Sequence, residues 1–265
     1  MKYALVDNVK TEASKGARGI CQVCGSSVIA KCGEIRESHW AHKNIGHCDT
    51  WWEPETEWHR AWKNRFPNDW QEIPFTDKRT GERHIADVCT SHGLVIEFQH
   101  SKIEAQECTS REAFYKNMVW VVDGARLKGD YPRFLKARKY LQKISDRLYS
   151  IDFPRICFPT DWIESSVPVI FDFLGNEVIL DPTDRRQQLY CLFPLGNKRG
   201  AQIIEISRQE FIRRATSGEW TNNRPEQQLR PAKVLIKRRI VGRKKRVSDY
   251  IYDPRKGRFI KRRRF

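Results

Sequence analysis

Two apolar runs interrupted by acids dominate the hydrophobic pattern of this chain. Arg83-His84-Ile85-Ala86-Asp87-Val88 and Leu94-Val95-Ile96-Glu97-Phe98-Gln99-His100-Ser101 flank a short turn at Ser91-His92-Gly93. Their Val and Ile content predicts two paired strands on a half-buried, pleated surface. Trp70-Gln71-Glu72-Ile73-Pro74-Phe75 predicts a strand before them, though Pro74 argues against a long central position. Thr80-Gly81 reads as a turn. Further upstream, Pro54 suits the first turn of a helix over 53–66. Glu55, His59 and Trp62 or Lys63 then recur at helical spacing, with Trp58 and Ala61 on a neighbouring face. Glu57, two residues from His59, points away from that face. Downstream, a helix is expected over 103–116, with Arg111 and Tyr115 one turn apart. Val119-Trp120-Val121-Val122 is an uninterrupted apolar run, as in a strand covered on both faces. Strand, strand, helix, strand indicates an α/β arrangement.

Beyond that core the texture changes. Residues 126–150 are rich in Lys, Arg and Leu and read as helical. Residues 167–174 and 177–180, joined at Gly175-Asn176, predict a β-hairpin. Residues 190–194 and 201–206 would add strands. Ser207-Arg208-Gln209-Glu210 is a capping box that opens a helix stopping near Gly218. Asp172 is an acid in a strand with no evident partner and reads as structural.

The chemistry lies in the acids of the first pair of strands. Glu97 and Gln99 are two residues apart, so their side chains leave the same face. A carboxylate in a strand is costly to bury unless something pairs it. Mg²⁺ or Mn²⁺, which takes oxygen ligands, would do so at Asp87 and Glu97. Gln99 would then orient the attacking water. Cysteine and histidine form a second cluster. Cys21-Gln22-Val23-Cys24-Gly25 is a C-x₂-C knuckle, followed by Cys32, His39-Trp40-Ala41-His42 and His47-Cys48. This pattern suits tetrahedral Zn²⁺. Cys21, Cys24 and His42 are the favoured ligands, with His39 or Cys48 as the fourth. Cys32 is the weakest candidate, because residues 29–33 read as a strand running into a turn. A closed site would be structural and leave no position for substrate. The plainer alternative is a set of reduced, metal-free thiols.

The residues His84-Ile85-Ala86-Asp87-Val88 and Glu97-Phe98-Gln99-His100-Ser101 resemble the "HRADV" and "EFQxS" motifs of the competence protein CoiA family. That family sits within the PD-(D/E)xK nuclease superfamily. Ile85 departs from the usual Arg, and Gln99 stands in place of the usual Lys of the superfamily. The resemblance takes in Glu53-Pro54-Glu55-Thr56-Glu57-Trp58-His59, Trp62-Lys63, Arg111, Tyr115 and the strand ending at Asp123. It also covers the CxxCG knuckle and His39-Trp40-Ala41-His42, where the family has "HFAH". The resemblance implies a PD-(D/E)xK restriction-endonuclease-like core of α/β class. An N-terminal zinc ribbon would precede it, and a small C-terminal α+β appendage with a basic tail would follow. Four regions result: 1–52 zinc-finger-like, 53–150 nuclease core, 151–230 α+β, and 231–265 basic tail. It further implies that the first helix lends an acid, Glu55, and that His59 meets a metal water or a phosphate.

Composition adds charge to this picture. The 265 residues carry a formal net charge of +16, with 39% hydrophobic and 31% charged residues. Residues 231–265 hold +13 of that charge, and the other 230 residues hold +3. Lys237-Arg238-Arg239, Arg243-Lys244-Lys245-Arg246 and Lys261-Arg262-Arg263-Arg264 would neutralise phosphates in a salt-sensitive, sequence-independent way. Tyr250, Ile251, Tyr252 and Phe259 would stack on bases, or form a hairpin around residues 253–257. The plain alternative is a solvated tail with no ligand. With no long apolar run and no signal-peptide pattern, a cytoplasmic location is the expectation, and no membrane partner.

These readings converge on metal-assisted hydrolysis of a nucleic-acid phosphodiester, with DNA the expected substrate. Asp87, Glu97 and the Phe98 carbonyl would hold Mg²⁺ or Mn²⁺, and Glu55 would assist. Gln99 would position water, while His84, His59, Ser101 or Arg111 would act at the phosphate. A homodimer, or a protein partner in recombination or in defence against foreign DNA, is compatible with this. The alternatives are a catalytically inactive DNA-binding protein and a zinc-containing adaptor for a recombination complex.

Overall fold

The computed structural model describes residues 1–34, 37–43, 48–51, 53–195 and 200–222, with the backbone of 250–253 and 258–261. The chain forms two compact units, Met1–Arg230 and Pro231–Phe265. No helix among the described residues is long and apolar enough to cross a membrane.

The larger unit begins with an antiparallel sheet. Its strands are β1 (Tyr3–Val6), β2 (Val9–Glu12), β3 (Arg18–Ile20), β4 (Ser27–Lys31) and β5 (His39–His42), in the order β2-β1-β3-β4-β5. Asp7 and Asn8 both take positive φ between β1 and β2, as a tight two-residue hairpin turn requires. Ala4, Cys21, Val28 and Trp40 form a small core. A Cβ at Gly19 would lie 2.9 Å from the Leu5 carbonyl oxygen, so the close approach of β3 to β1 depends on glycine there.

A nine-stranded mixed sheet organises the rest. Its strands are β6 (Gln71–Thr76), β7 (Arg83–Cys89), β8 (Val95–Gln99), β9 (Met118–Asp123), β10 (Gln142–Ser145), β11 (Leu148–Ile151), β12 (Val169–Asp172), β13 (Gln188–Leu192) and β14 (Ala201–Ser207). The order is β10-β11-β14-β13-β12-β9-β8-β7-β6. Only β8, β9 and β12 run parallel, and α2 (Ala105–Tyr115) connects the first two. Every residue of β9 is buried. Met118, Trp120 and Val122 face one core, shared with Cys108 and Tyr115 of α2 and with Phe134 of α3 (Asp130–Ala137). Val119 and Val121 face the other, shared with Trp58 and Trp62 of α1 (Glu57–Lys63) and Phe211 of α4 (Arg208–Ser217). The result is a sheet with helices on both faces, which explains the continuous apolar run.

Several expectations hold and several need correction. Pro74 lies in β6, at the edge of the sheet, where a missing N–H is tolerated. Ser207 caps α4 by accepting the Glu210 N–H, and Gly218 ends it in the left-handed region. Helix α1 starts at Glu57 rather than near Pro54, because Thr56 and His59 form a capping box there. The helix expected over 126–150 stops at Ala137, and the remainder includes the β10–β11 ladder. Residues 177–180 form no hairpin with 167–174. Leu180 is 91% exposed, and β12 pairs instead with β9 and β13. A boundary at residue 151 is not seen either, since β11 pairs with β14 in the same sheet as the acid-bearing strands. The smaller unit contains β15 (Tyr250–Asp253) and β16 (Arg258–Lys261), paired antiparallel as a hairpin.

Candidate functional site

The N-terminal sheet gathers a Cys₃His cluster. The ligand atoms of Cys21, Cys24, His42 and Cys48 all lie within 4.8 Å of one another. Cys21 Sγ is 3.6 Å from Cys48 Sγ, and Cys24 Sγ is 3.3 Å from His42 Nε2. A tetrahedral zinc with bonds of about 2.3 Å to sulfur and about 2.0 Å to nitrogen would have edges of roughly 3.6–3.8 Å. The cluster is therefore compatible with structural zinc. The knuckle geometry agrees: the Val23 N–H donates to Cys21 Sγ, and Gly25 adopts φ +70. Burial opposes ionisation of Cys24, yet hydrogen bonds from Ser26 and His42 bring its thiol down to about 6, so it is primed as a donor. His39 is not part of this set. It lies three residues from His42 on β5 and so on the opposite face, where Nδ1 donates to the Glu37 carbonyl at 2.9 Å. Cys48 takes the fourth place.

The acids meet on the central sheet. β7 and β8 are antiparallel, and their backbones and carboxylates interlock. The Asp87 N–H donates to Glu97 Oε1 at 3.1 Å, and the Phe98 N–H donates to Asp87 Oδ2 at 3.0 Å. Both carboxylates line a cavity of about 300 Å³ that also reaches His42, Cys48, Glu53 and Lys63. Burial, reinforced by the neighbouring Asp87, pushes Glu97 up to about 8, and burial raises Asp87 as well. Each acid also faces a cation. Arg111 Nη1 lies 3.2 Å from Glu97 Oε2, and Lys63 Nζ lies 3.6 Å from Asp87 Oδ1.

Glu53, not Glu55, occupies the position beside Gln99. Gln99 Nε2 donates to Glu53 Oε2 at 3.0 Å, and Ser101 Oγ donates to the same oxygen. His59 completes this group. Because the Thr56 N–H donates to His59 Nδ1, the ring proton sits on Nε2. Nε2 is 2.7 Å from Glu53 Oε1 and 3.0 Å from the Phe98 carbonyl oxygen. Hydrogen bonds from His59 and Ser101 outweigh burial and keep the Glu53 carboxyl low. Glu55 lines the same cavity but is held by Lys63 at 2.7 Å and Arg60 at 2.8 Å. With the helix beginning at Glu57, Glu55 lies before it and shares no helix face with His59.

Lys63 reads from the sequence only as a helix-face residue, and it is central here. Burial opposes its charge, but Glu72, Glu55 and Asp87 together hold its ammonium above the ordinary lysine range. Glu72 also accepts from the Lys2 and Tyr3 backbone N–H groups at 2.6 and 2.9 Å, tying β1 to the core. It takes φ 45, a left-handed conformation within a strand. An acid near the start of the β6 strand was the available signal for Glu72. For Glu53, only the neighbouring "EPE" acids pointed to the region, without choosing between them.

The remaining expected residues divide. Arg111 lines the cavity but is buried, bonding Glu97, Glu107 and the Trp51 carbonyl. Ser101 is exposed and bonds Glu53. His84 is 2% exposed and cannot reach a phosphate. Its Nδ1 meets Asp49 at 2.8 Å, its Nε2 meets Glu82, and Trp51 stacks on its ring at 3.2 Å. Asp172 has partners after all. It is buried and accepts from the indoles of Trp58 and Trp62 and from Arg208, so it is structural. Lys237, Arg238, Arg239, Arg243, Lys244, Lys245, Arg246, Arg262, Arg263 and Arg264 lie outside the described residues.

Residues 6–50 match the family described as competence protein CoiA, N-terminal domain. The match contains Cys21, Cys24, His42 and Cys48 and ends before Glu53. No curated protein and no solved structure matches the chain.

Proposed function

From the CoiA-like family assignment that residues 6–50 support, we propose that the chain is a metal-dependent nuclease with a PD-(D/E)xK-type core. The observation that carries this reading is the meeting of Asp87 and Glu97 across two adjacent strands, at the wall of a cavity, with Glu53 and Gln99 beside them. Strand, strand, helix, strand over β7, β8, α2 and β9 is the order that the core requires.

The residues fit a hard divalent cation. Asp87 and Glu97 are both pushed toward protonation by burial, the condition that a cation relieves. Gln99 Oε1 is buried with no hydrogen-bond partner, so it has a free acceptor in a polar site. Asp87, Glu97 and the Phe98 carbonyl would hold Mg²⁺ or Mn²⁺, with Glu53 as the additional acid. Such an ion acidifies a bound water and offsets charge on a phosphate. The other tasks fall to the chain. Gln99 is clamped through Nε2 to Glu53 and Ser101, which leaves Oε1 to accept a hydrogen bond from water and orient it. His59 Nε2–H fixes Glu53 and the Phe98 carbonyl. Arg111 and Lys63 supply fixed positive charge beside the acids, the role a strand lysine at position 99 would otherwise share. The tail of +13 would supply sequence-independent affinity for DNA.

A second reading, an inactive DNA-binding protein, is favoured by the same ion pairs, since Arg111 and Lys63 already neutralise both acids without a metal. Incubation of the purified chain with circular duplex, linear duplex and single-stranded DNA separates the two. The nuclease reading expects cleavage that needs Mg²⁺ or Mn²⁺ and is lost in Asp87→Ala and Glu97→Ala. Binding without cleavage under every metal favours the inactive protein.

A further inference from the structure

The Cys₃His cluster and the acidic cluster open on the same cavity, and Glu53 follows Cys48 by five positions. Along that short path Cys48, Asp49, Trp51 and Glu53 each make defined contacts. Cys48 belongs to the metal cluster. Asp49 is 8% exposed and accepts three hydrogen bonds. They come from the Trp51 N–H at 2.9 Å, the Ile85 N–H of β7 at 2.8 Å, and His84 Nδ1 at 2.8 Å. The Trp51 ring lies flat on His84, with an interplanar angle of 8°. The Trp51 carbonyl accepts from Arg111 Nη2 at 2.6 Å, and Arg111 is the cation paired with Glu97. Glu53 follows, bonded to Gln99, Ser101 and His59.

We infer that a strap anchored at Cys48, Asp49 and Trp51 lets the Cys₃His centre set the position of Glu53 at the acidic site, with Asp49 as its positioning residue. A purely structural zinc site would need only its own ligands. Here one ligand is continuous with a buried carboxylate docked on the strand that carries Asp87, and then with an acid of the site. The three hydrogen bonds of Asp49 and the stacked ring of Trp51 serve placement. The inference rests on the nuclease reading only for the purpose of Glu53, since the strap itself is defined by its own bonds.

The test uses the full chain as zinc-loaded wild type, Asp49→Asn, Glu53→Gln and the double variant. Zinc content, amide hydrogen exchange and Mn²⁺ binding by electron paramagnetic resonance are measured on each. Asp49→Asn is expected to retain its zinc, to lose exchange protection at the Ile85 and Trp51 amides, and to bind Mn²⁺ about tenfold more weakly, the scale seen when an outer residue orients a ligand. Glu53→Gln is expected to weaken Mn²⁺ similarly, and to add less than about twofold in the Asp49→Asn background, because coupled residues are not additive. Stripping zinc from the wild type should reproduce the Asp49→Asn exchange pattern at Ile85. The inference is overturned if Asp49→Asn keeps both Ile85 protection and Mn²⁺ affinity, or if the two effects add in full. A drop in thermal stability alone, with Mn²⁺ affinity unchanged, also overturns it. Absence of Mn²⁺ binding in the zinc-loaded wild type would sink the nuclease reading instead, and exchange at Ile85 on zinc removal would then decide the strap by itself.

Discussion

Two glutamates two residues apart have different surroundings and should behave differently when changed. Glu53 bonds Gln99, Ser101 and His59, whereas Glu55 is locked between Lys63 and Arg60. Glu53→Gln should lower metal-dependent cleavage by about a hundredfold, with little change in melting temperature. Glu55→Gln should cost about 1–3 kcal/mol of stability, because it removes one partner of a buried ion-pair network. Parallel thermal melts and cleavage assays check the pair, and a reversed pattern would return the catalytic role to Glu55. The pH dependence follows from the same residues. Glu97 sits at about 8 in the folded chain, above its ordinary value of 4.5, so folding favours its protonated form. Its contribution is fully present below that ordinary value and is lost as pH rises toward about 8. Glu72 has the opposite sign. It is held at about 2 against 4.5, mainly by Lys63 against the penalty of burial, so its stabilisation is present above 4.5 and lost as pH falls. With no divalent cation other than zinc, the melting temperature should therefore decline between about pH 5 and about pH 8, and Glu97→Gln should flatten that decline. Added Mn²⁺ should stabilise the wild type more at the upper end of the range than at the lower.

At the scale of elements, the strands that carry the acids were legible because alternation and β-branching are local signals. The β9 run was equally legible, because burial on both faces leaves no polar position. Misreadings arose where tertiary pairing overrode local composition. Residues 142–150 look helical in a Lys- and Leu-rich stretch, yet they pair within β10 and β11 at the edge of the large sheet. The 167–180 hairpin failed because β12 finds better partners in β9 and β13 than in the segment that follows it. In the candidate site, Asp87, Glu97 and Gln99 could be read from spacing alone. Choosing Cys48 over His39 could not, since it depends on residues 39–42 forming a strand, which one Trp and one Ala between two His do not announce. Glu53 stayed hidden because only the start of α1 at Glu57, set by the Thr56 cap, separates it from Glu55. The Cys₃His centre gives an element-scale prediction. Cys24→Ser should release zinc and lower the unfolding midpoint by about 5–10 °C, because so small a sheet core relies on its metal. Zinc content and a thermal melt check it, and unchanged values would identify reduced thiols that bind no metal.

For the whole molecule, charge and chemistry are divided between the two units. Residues 1–230 contain both candidate centres and a net charge of +3, whereas residues 231–265 carry +13. If the tail supplies affinity and the larger unit supplies chemistry, changing the tail's Lys and Arg residues to Gln should weaken DNA binding and flatten its salt dependence. Each phosphate that is no longer neutralised should reduce the slope by about 0.9. Binding measured across a salt series checks this, and an unchanged slope would assign DNA binding to the larger unit. The most direct test of the central claim is a cleavage assay of the wild-type chain beside Asp87→Ala, on circular duplex, linear duplex and single-stranded DNA with Mn²⁺. The account predicts cleavage by the wild type of at least one substrate, abolished without the added ion and reduced by about a thousandfold or more in the variant. Equal cleavage by the two proteins, or none by the wild type while DNA binding persists, would contradict it.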